Sequence, residues 1–314
     1  MNGYQPPLDD MRFVLEHWLD APGHWARIPA FCNLDAALAA QVLDEAGRFA
    51  SDVLAPLNAP GDREGCSLVD GRVYTPQGFS KAYAAYVDAG WPSLACEVED
   101  GGQGLPGTLD AALQEMVYAA NHGWAMYTGL SHGAYQCLKA HAPELVRREY
   151  LPGIVSGEIL PTMCLTEPQA GSDLGLLRCR AESEGDAYRL TGTKCFISGG
   201  DHDLTDNILH LVLARLPDAP SGTRGLSLFA VPRKIHGVDN GITCGAIEHK
   251  MGIKGSATCE LVFAQARGWL VGEASKGLAA MFVMMNAARL HVGLQGLGHA
   301  EHALQVAEAY ALER

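Results

Sequence analysis

The chain has 314 residues, of which 48% are hydrophobic and 19% are charged, a composition typical of a globular protein with room for two or three domains. Its formal net charge of −13 argues against nucleic acid or an anionic membrane as the partner, because such polyanions require basic surfaces. Nine cysteines are scattered without a Cys-x-x-Cys pair, which indicates reduced thiols and favours a cytoplasmic location over a disulfide framework.

Residues 1–13 contain no apolar core of a signal peptide, and they include two acidic residues, Asp9 and Asp10. We therefore expect neither a secretory signal nor an arginine-rich transit peptide. No apolar run is expected to approach membrane-spanning length, and we find no repeat and no low-complexity segment.

Apolar residues recur at helical spacing through residues 1–155 and predict that this part of the chain is helical. In the first such segment Met11, Leu15 and Trp18 fall on one face. The predicted helices span residues 4–20, 34–54, 76–89, 109–119, 133–141 and 144–154. Residues 58–73 are rich in Gly, Pro and charge, and they predict a loop or an excursion.

The pattern changes to short strands separated by turn residues between residues 161 and 270. The predicted strands span residues 188–191, 194–198, 208–214, 226–231, 242–246 and 260–263. Such a series predicts a compact β-domain, either a barrel or a sandwich. Helical spacing then returns, and residues 278–312 predict one long helix.

A polar, turn-rich segment begins the β-region: residues 163–173 read Met-Cys-Leu-Thr-Glu-Pro-Gln-Ala-Gly-Ser-Asp. Pro168 disfavours a helical conformation at Glu167, so residues 163–167 are expected to be extended. Gly171 can adopt a positive φ angle, and Ser172 and Asp173 can bond to nearby backbone. Such a turn directs N–H groups and hydroxyls into one space, where they suit phosphate oxygens or the edge of a flavin ring.

A second segment, residues 192–200, reads Gly-Thr-Lys-Cys-Phe-Ile-Ser-Gly-Gly. It predicts a short strand on which the alternation of side chains places Phe196 and Ser198 on one face. An aromatic ring and a hydroxyl would then contact the same ligand. The alternative is two ordinary β-turns in a β-domain, because turn residues of these types are common.

Together the two segments resemble the acyl-CoA dehydrogenase family, in which TEPxAGSD is followed by a GxKxxI(T/S)xG strand at similar separation. The order of helices, strands and helices is also that of the family. The resemblance implies an α+β multidomain fold: an N-terminal extension typical of larger members (1–33), an all-α domain (34–160), a middle β-barrel or sandwich domain (161–272) and the first helix of a C-terminal bundle (273–314). It also implies a member that is truncated at its C-terminus.

The function implied by this resemblance is FAD-dependent oxidation of an acyl-CoA thioester to the trans-2-enoyl-CoA, a CH–CH oxidoreduction of fatty acid β-oxidation. In the family a carboxylate removes the α-proton while the β-hydrogen leaves as hydride to the flavin. The implied partners are the acyl-CoA substrate and an electron-transfer flavoprotein as acceptor, and the implied assembly is a homodimer or homotetramer.

The resemblance also implies roles for the residues at matching positions. Residues expected to contact FAD are Met163, Leu165, Thr166, Gly171, Ser172, Phe196, Ile197 and Ser198. Those expected to contact substrate are Ser172, Asn286 and Arg289. Thr166 is expected at the pyrimidine edge of the flavin, and Ser172 is expected near the pyrophosphate. Phe196 and Ser198 replace a common tryptophan and a common threonine, and each replacement keeps the chemical role.

The catalytic base is where this sequence departs from the family. Most members carry the glutamate late in the C-terminal bundle, which corresponds to a position beyond Arg314. Isovaleryl-type and long-chain-type members place it directly before the helix arginine, where this chain has Ala288. The chain is therefore expected to be a fragment, one part of a complex, or an inactive relic.

Three alternatives to a dehydrogenase remain open at this stage. An acyl-CoA oxidase has the same fold and half-reaction but uses oxygen as the acceptor. A non-catalytic flavin-binding or nucleic-acid-associated relative is a second alternative, which the acidic charge disfavours in its DNA-binding form. A non-catalytic subunit of a flavoprotein complex is the third. The length of the acyl chain is not predicted.

The sequence favours a structural role for several other motifs. Residues 101–104 lack the Lys-Ser/Thr of a phosphate loop, and His299 with His302 lacks the spacing and further ligands of a metal site. Residues 201–203 are expected to form a loop near the substrate. Residues 251–258 resemble the family's MGxxxSxT stretch, and ligand contact there is left open. Cys164 and Cys195 are expected to be buried as small hydrophobic residues.

Overall fold

The computed structural model describes residues 3–314. Residues 1 and 2, with which the predicted extension 1–33 begins, lie outside the described residues. The described chain is helical at first, continues as a β-barrel and ends in one long helix. The predicted α+β class and the order of its parts are confirmed.

The helical part begins with two short helices and continues with two longer ones. Their bounds are α1 (Leu8–Phe13, continued by a π-helical segment Val14–Trp18), α2 (Ala21–Trp25), α3 (Ala36–Arg48, continued by a π-helical segment Phe49–Leu54) and α4 (Ala55–Glu64). The expectation of a loop or an excursion at 58–73 is wrong for residues 58–64, which belong to α4. Gly61 on α4 packs so closely on the Phe79 ring that a Cβ there would lie 2.6 Å from Cε1, and this packing outweighs the weak helix propensity of the segment.

The remainder of residues 58–73 forms most of a two-stranded antiparallel hairpin, β1 (Ser67–Val69) and β2 (Arg72–Tyr74). Four further helices follow: α5 (Phe79–Asp88), α6 (Gly107–Thr128), α7 (Ser131–His141) and α8 (Glu144–Ser156). Within α6, Asn121 has φ −155° and ψ 86°, and its Oδ1 accepts from the Trp124 N–H at 3.0 Å. The helix predicted to end at residue 119 therefore continues past this kink to Thr128.

Seven strands form the main sheet. They are β3 (Ile159–Cys164), β4 (Arg180–Glu184), β5 (Ala187–Ser198), β6 (Asn207–Arg215), β7 (Leu226–Pro232), β10 (Ile242–Ile247) and β11 (Thr258–Val271), with a small hairpin of β8 (Lys234–Ile235) and β9 (Val238–Asp239) beside it. The strand β7 pairs with both β6 and β11, and the sheet therefore closes into a barrel. The two strands predicted at 188–198 are one strand, and the strand predicted at 260–263 is longer.

The last helix, α9 (Gly277–Glu313), packs against α6, α7 and β7 and leaves its opposite face exposed. It is the one helix of the described chain that is long and apolar enough, by length and composition, to cross a membrane. This finding corrects the expectation that no apolar run approaches that length. The core helix of a soluble protein passes the same test, and one such helix is weak evidence for a membrane span.

Candidate functional site

A cavity of about 290 Å³ lies where the barrel meets α6 and α9. The barrel side of its wall consists of Met163, Leu165, Thr166, Phe196, Ile197 and Ser198. The helix side consists of Tyr118, Met126, Gly129, Leu130, Ala288, His291, Val292 and Gln295. The structure therefore brings six of the eight residues predicted to contact a cofactor to one cavity, together with a helical wall that the sequence did not predict.

The two polar segments are joined beneath the cavity by a buried ion pair. Lys194 Nζ donates to Glu167 Oε1 at 2.8 Å and to the Leu165 carbonyl at 2.9 Å, and both charged side chains are almost fully buried. The Cys195 N–H also donates to the Thr166 carbonyl at 3.0 Å. These bonds fix the positions of Leu165 and Thr166 relative to the Phe196 strand.

Glu167 also accepts hydrogen bonds from the backbone. Its carboxylate accepts from the Arg178 N–H at 2.7 Å and from the Cys179 N–H at 2.9 Å. Burial favours the protonated form, but the Lys194 ammonium and the two N–H donors outweigh it and lower the pKa of Glu167. Sequence reasoning missed this pair. The available signal was a glutamate in the first predicted segment and a lysine in the second, because buried charges require partners.

Phe196 reaches the cavity through a β-bulge. Its φ is 58°, and Glu260 on β11 stands opposite both Cys195 and Phe196 where the pairing of β5 shifts by one residue. The Phe196 side chain is 61% exposed beside the cavity. Phe196 and Ser198 do line one cavity, as predicted, but Ile197 between them lines it too, so regular strand alternation is not the reason.

Gly171 and Ser172 lie in an exposed turn next to the cavity and are not part of its wall. The turn is held by two mutual backbone hydrogen bonds between Glu167 and Ala170, each 2.9 Å. Gly171 does not adopt a positive φ angle, contrary to expectation. A Cβ at Gly171 would lie 3.6 Å from the Thr166 methyl group, so the turn does adjoin the wall. The phosphate-binding role of Ser172 stays a prediction.

Asn286 and Arg289 lie on the exposed face of α9, outside the cavity wall. Arg289 Nη1 donates to Asn286 Oδ1 at 2.8 Å, and the guanidinium lies 5.3 Å from the Phe282 ring centroid. Their predicted contact with substrate stays a prediction. Ala288, by contrast, does line the cavity, so the alternative position of the family base faces the site. Among residues 3–314, no carboxylate belongs to the cavity wall.

The helix side of the cavity contains three polar residues that the sequence analysis missed. His291 Nδ1 lies 3.0 Å from the Gly129 carbonyl, and Gln295 Nε2 lies 3.9 Å from Met126 Sδ. Tyr118 is buried and packs against His291, with 6.4 Å between the ring centroids. Histidine and glutamine four residues apart on a largely apolar helix were the available signal, since such residues share a face.

The other motifs lie away from this cavity. Residues 201–203 anchor the β1–β2 hairpin instead: Asp201 accepts from the Val73 N–H at 2.8 Å, and Asp203 accepts from the Thr75 N–H at 3.0 Å. The loop 251–258 is bonded to α6 through Tyr127, which donates to the Gly255 carbonyl at 3.1 Å. Neither segment lines the cavity.

The remaining sequence candidates have structural contacts. His299 lies 2.7 Å from His122 and His302 lies 3.0 Å from the Ala119 carbonyl, so both tie α9 to α6. No group of three or more metal-ligating side chains occurs within residues 3–314. Cys164 is buried, and burial raises the pKa of its thiol to about 12. Burial also raises the pKa of Cys195, as expected of packed, unreactive thiols.

Comparison with known protein families defines the class. Residues 38–158 match the model of the acyl-CoA dehydrogenase N-terminal domain, and residues 162–266 match the model of the acyl-CoA dehydrogenase middle domain. The chain belongs to the acyl-CoA dehydrogenase family, as its two motifs predicted.

Two similar proteins are named after different acyl-CoA substrates. The chain is 43% identical to 3-methylmercaptopropionyl-CoA dehydrogenase of Ruegeria pomeroyi, over 99% of this chain and 54% of that protein. It is 36% identical to a butyryl-CoA dehydrogenase of Syntrophomonas wolfei, over 92% of this chain and 50% of that protein. A solved structure described as the electron transferring flavoprotein of Acidaminococcus fermentans is 26% identical with a TM-score of 0.74, covering 88% of this chain and 68% of that one. The chain thus spans about half the length of these curated relatives.

Proposed function

We propose that the chain forms the FAD- and acyl-CoA-binding part of an acyl-CoA dehydrogenase, which oxidises the Cα–Cβ bond of a thioester to a trans double bond. One observation carries this proposal. Six residues of the two family motifs line a single cavity, and the facing wall is formed by two helices with several apolar residues. Such a cavity can hold a planar ring on one side and an acyl chain on the other.

The residues on the barrel side fit a flavin. Phe196 offers an aromatic face, and the hydroxyls of Thr166 and Ser198 offer hydrogen bonds to a polar ring edge. Met163 and Leu165 exclude water from the same surface. Bound FAD would accept the β-hydrogen as a hydride. The Thr166 and Ser198 hydroxyls would then stabilise the negative charge that develops beside them.

No described residue of the cavity wall is a carboxylate, the group that removes the α-proton in this family. Ala288 occupies the wall position at which some family members carry the glutamate, and an alanine cannot accept a proton. We propose that a carboxylate from another segment or another chain completes the site.

The remaining features of the proposal come from the relatives and the sequence. The names of two relatives support a short acyl group such as butyryl or 3-methylmercaptopropionyl. We further propose an electron-transfer flavoprotein as acceptor, a homo-oligomeric assembly, a role in β-oxidation and a cytoplasmic location. The proposal also includes the division of the chain into four parts: an N-terminal extension (1–33), a helical domain (34–160), a middle β-domain (161–272) and the start of a C-terminal helical domain (273–314).

The test is an anaerobic absorbance spectrum of the purified protein, recorded before and after adding saturated acyl-CoAs. We expect a flavin spectrum that bleaches when a completing carboxylate is present. Thr166→Ala is expected to lower flavin content or the bleaching rate, whereas Thr223→Ala, outside the cavity, is not. A protein without flavin after FAD is added would contradict the proposal. Oxygen uptake without an added acceptor would instead indicate an acyl-CoA oxidase.

A further inference from the structure

We propose that Lys194 makes bound FAD easier to reduce by strengthening the Thr166 N–H as a hydrogen-bond donor. This inference rests on the proposed function and deepens it, because it names a residue that regulates the cofactor without touching it. Leu165 and Thr166 line the cavity, whereas the Lys194 side chain is buried behind them and is not part of the wall. Lys194 acts through the peptide group that joins these two wall residues.

This peptide group has a full positive charge against its oxygen. Lys194 Nζ donates to the Leu165 carbonyl at 2.9 Å. The carbonyl and the Thr166 N–H belong to one trans peptide group, so the two point in opposite directions. A positive charge at the oxygen withdraws electrons from the nitrogen, and linked hydrogen bonds strengthen one another in this way. The Thr166 N–H is therefore a stronger donor than an ordinary amide, on the side that faces away from Lys194.

The Thr166 N–H is available to a ligand, although the groups on either side of it are not. The Thr166 carbonyl accepts from the Cys195 N–H at 3.0 Å, and the Glu167 N–H donates to the Ala170 carbonyl at 2.9 Å. Among the described residues, the Thr166 N–H has no backbone acceptor. Thr166 is half-buried and lines the cavity. The strengthened donor is thus the one that remains for a cofactor.

The positive end of the ion pair dominates at this peptide group. The Lys194 ammonium is bonded to it directly. The Glu167 carboxylate is bonded to the ammonium, to one side-chain amide and to two backbone N–H groups, none of which belongs to this peptide group. Both charged side chains are at most 3% exposed, so water screens the interaction little. Replacement of either partner therefore changes the charge at the peptide group in a known direction.

Reduction of the cofactor adds negative charge beside this donor. In the proposed reaction the α-proton leaves to the completing carboxylate, and the Cβ–H bond breaks with its hydrogen and both electrons moving to FAD. The cofactor gains one negative charge, and an N–H donor stabilises the reduced form more than the oxidised form. Hydrogen bonds with an ionised partner are about twice as strong as neutral ones. Loss of the Lys194 charge should therefore shift the equilibrium between reduced and oxidised FAD by about 3- to 10-fold.

The experiment measures this equilibrium in the purified, FAD-loaded protein at pH 7, by anaerobic titration with dithionite in the presence of a reference dye. It needs neither substrate nor the completing carboxylate. Lys194→Met removes the positive charge and should favour oxidised FAD by about 3- to 10-fold. Glu167→Gln keeps the ammonium and removes the negative charge, so it should favour reduced FAD. Both changes break the same ion pair, and a purely structural role would shift the equilibrium of both variants in the same direction.

The double variant Lys194→Met/Glu167→Gln separates charge from stability, because it contains neither buried charge. It should favour oxidised FAD relative to the native protein, even if Lys194→Met alone does not fold. Lys81→Met, at an exposed position on α5, is the matched control and should leave the equilibrium unchanged. Shifts in the same direction in the two single variants, or a native equilibrium in the double variant, would overturn this inference while leaving the dehydrogenase proposal intact. A native protein that binds no added FAD would contradict both.

Discussion

Among single residues, Lys194 and Glu167 support the cavity wall through their ion pair, although neither side chain lines the cavity. The Glu167 carboxylate accepts hydrogen bonds from Lys194 Nζ and from two backbone N–H groups, and it therefore links the two motifs. The residues of the first motif therefore have two different roles in this chain. Thr166 faces the cavity, whereas Glu167, its neighbour, holds the turn together.

Lys194→Met should destabilise the fold by about 3–5 kcal/mol, because it leaves the Glu167 charge buried without its ammonium partner. The measurement is denaturant unfolding at neutral pH. Lys81→Met, at an exposed position on α5, is the control and should change the free energy of unfolding little. Adding Glu167→Gln to Lys194→Met should recover part of the loss. A double variant less stable than the single one would contradict the buried-charge explanation.

At the scale of elements, α6 connects the helical part to the barrel. Its kink at Asn121 begins a second helical segment that carries Tyr127, and the Tyr127 hydroxyl both accepts from the Ala257 N–H at 2.8 Å and donates to the Gly255 carbonyl at 3.1 Å. The loop 251–258 is thereby bonded to the segment of α6 that supplies Met126 to the cavity. The resemblance of this loop to a family motif has a structural reason in this chain.

Tyr127→Phe should cost about 1–3 kcal/mol of stability, because the buried Ala257 N–H loses its acceptor. The Gly255 carbonyl keeps the Cys66 thiol as a donor, so the loss concerns mainly one group. Tyr74→Phe removes a hydroxyl from a half-exposed ring and serves as the comparison. Thermal unfolding of the three proteins measures the difference. Equal melting temperatures for the two variants would argue against a bridging role for Tyr127.

In the molecule as a whole, two histidines are enclosed, one where the barrel meets α6 and one inside the barrel. His202 packs edge-on to Tyr127, with 5.5 Å between the ring centroids, and Nδ1 of His210 lies 2.7 Å from the Thr162 hydroxyl. Both side chains are almost fully buried. Burial disfavours the charged imidazolium and lowers the pKa of each to about 3.

Stability should therefore fall on acidification below about pH 6.5, the ordinary histidine pKa, and continue to fall to about pH 3. The sign follows because the unfolded chain binds these protons and the folded chain does not. Each histidine should account for about 2 kcal/mol between pH 7.5 and pH 5. The lowered pKa of Glu167 adds a separate loss at lower pH, below the ordinary carboxyl range.

Urea unfolding at a series of pH values measures this slope. His210→Gln removes one of the titrating groups and should make the dependence between pH 7.5 and pH 5 shallower. His17→Gln, on the exposed face of the first helical segment, should leave the slope as it is. An unchanged slope in His210→Gln would show that the acid sensitivity arises elsewhere.

The order of helices and strands, the family and most of the barrel side of the cavity could be predicted from the sequence. Local chemistry was sufficient for these features, because hydrophobic spacing repeats within each element and the two motifs are contiguous. Met163, Thr166, Phe196 and Ser198 were found in this way, and all line the cavity.

The other features could not be predicted from the sequence, because they depend on contacts between segments that are distant in the chain. The α4 helix forms where propensity predicted a loop, since Gly61 packs against Phe79. The helical wall of the cavity, with Tyr118 and Gln295, joins residues far apart in the chain, and no local pattern records that α6 and α9 run antiparallel side by side. The bulge that turns Phe196 toward the cavity likewise arises from pairing with β11, a partner that strand alternation cannot specify.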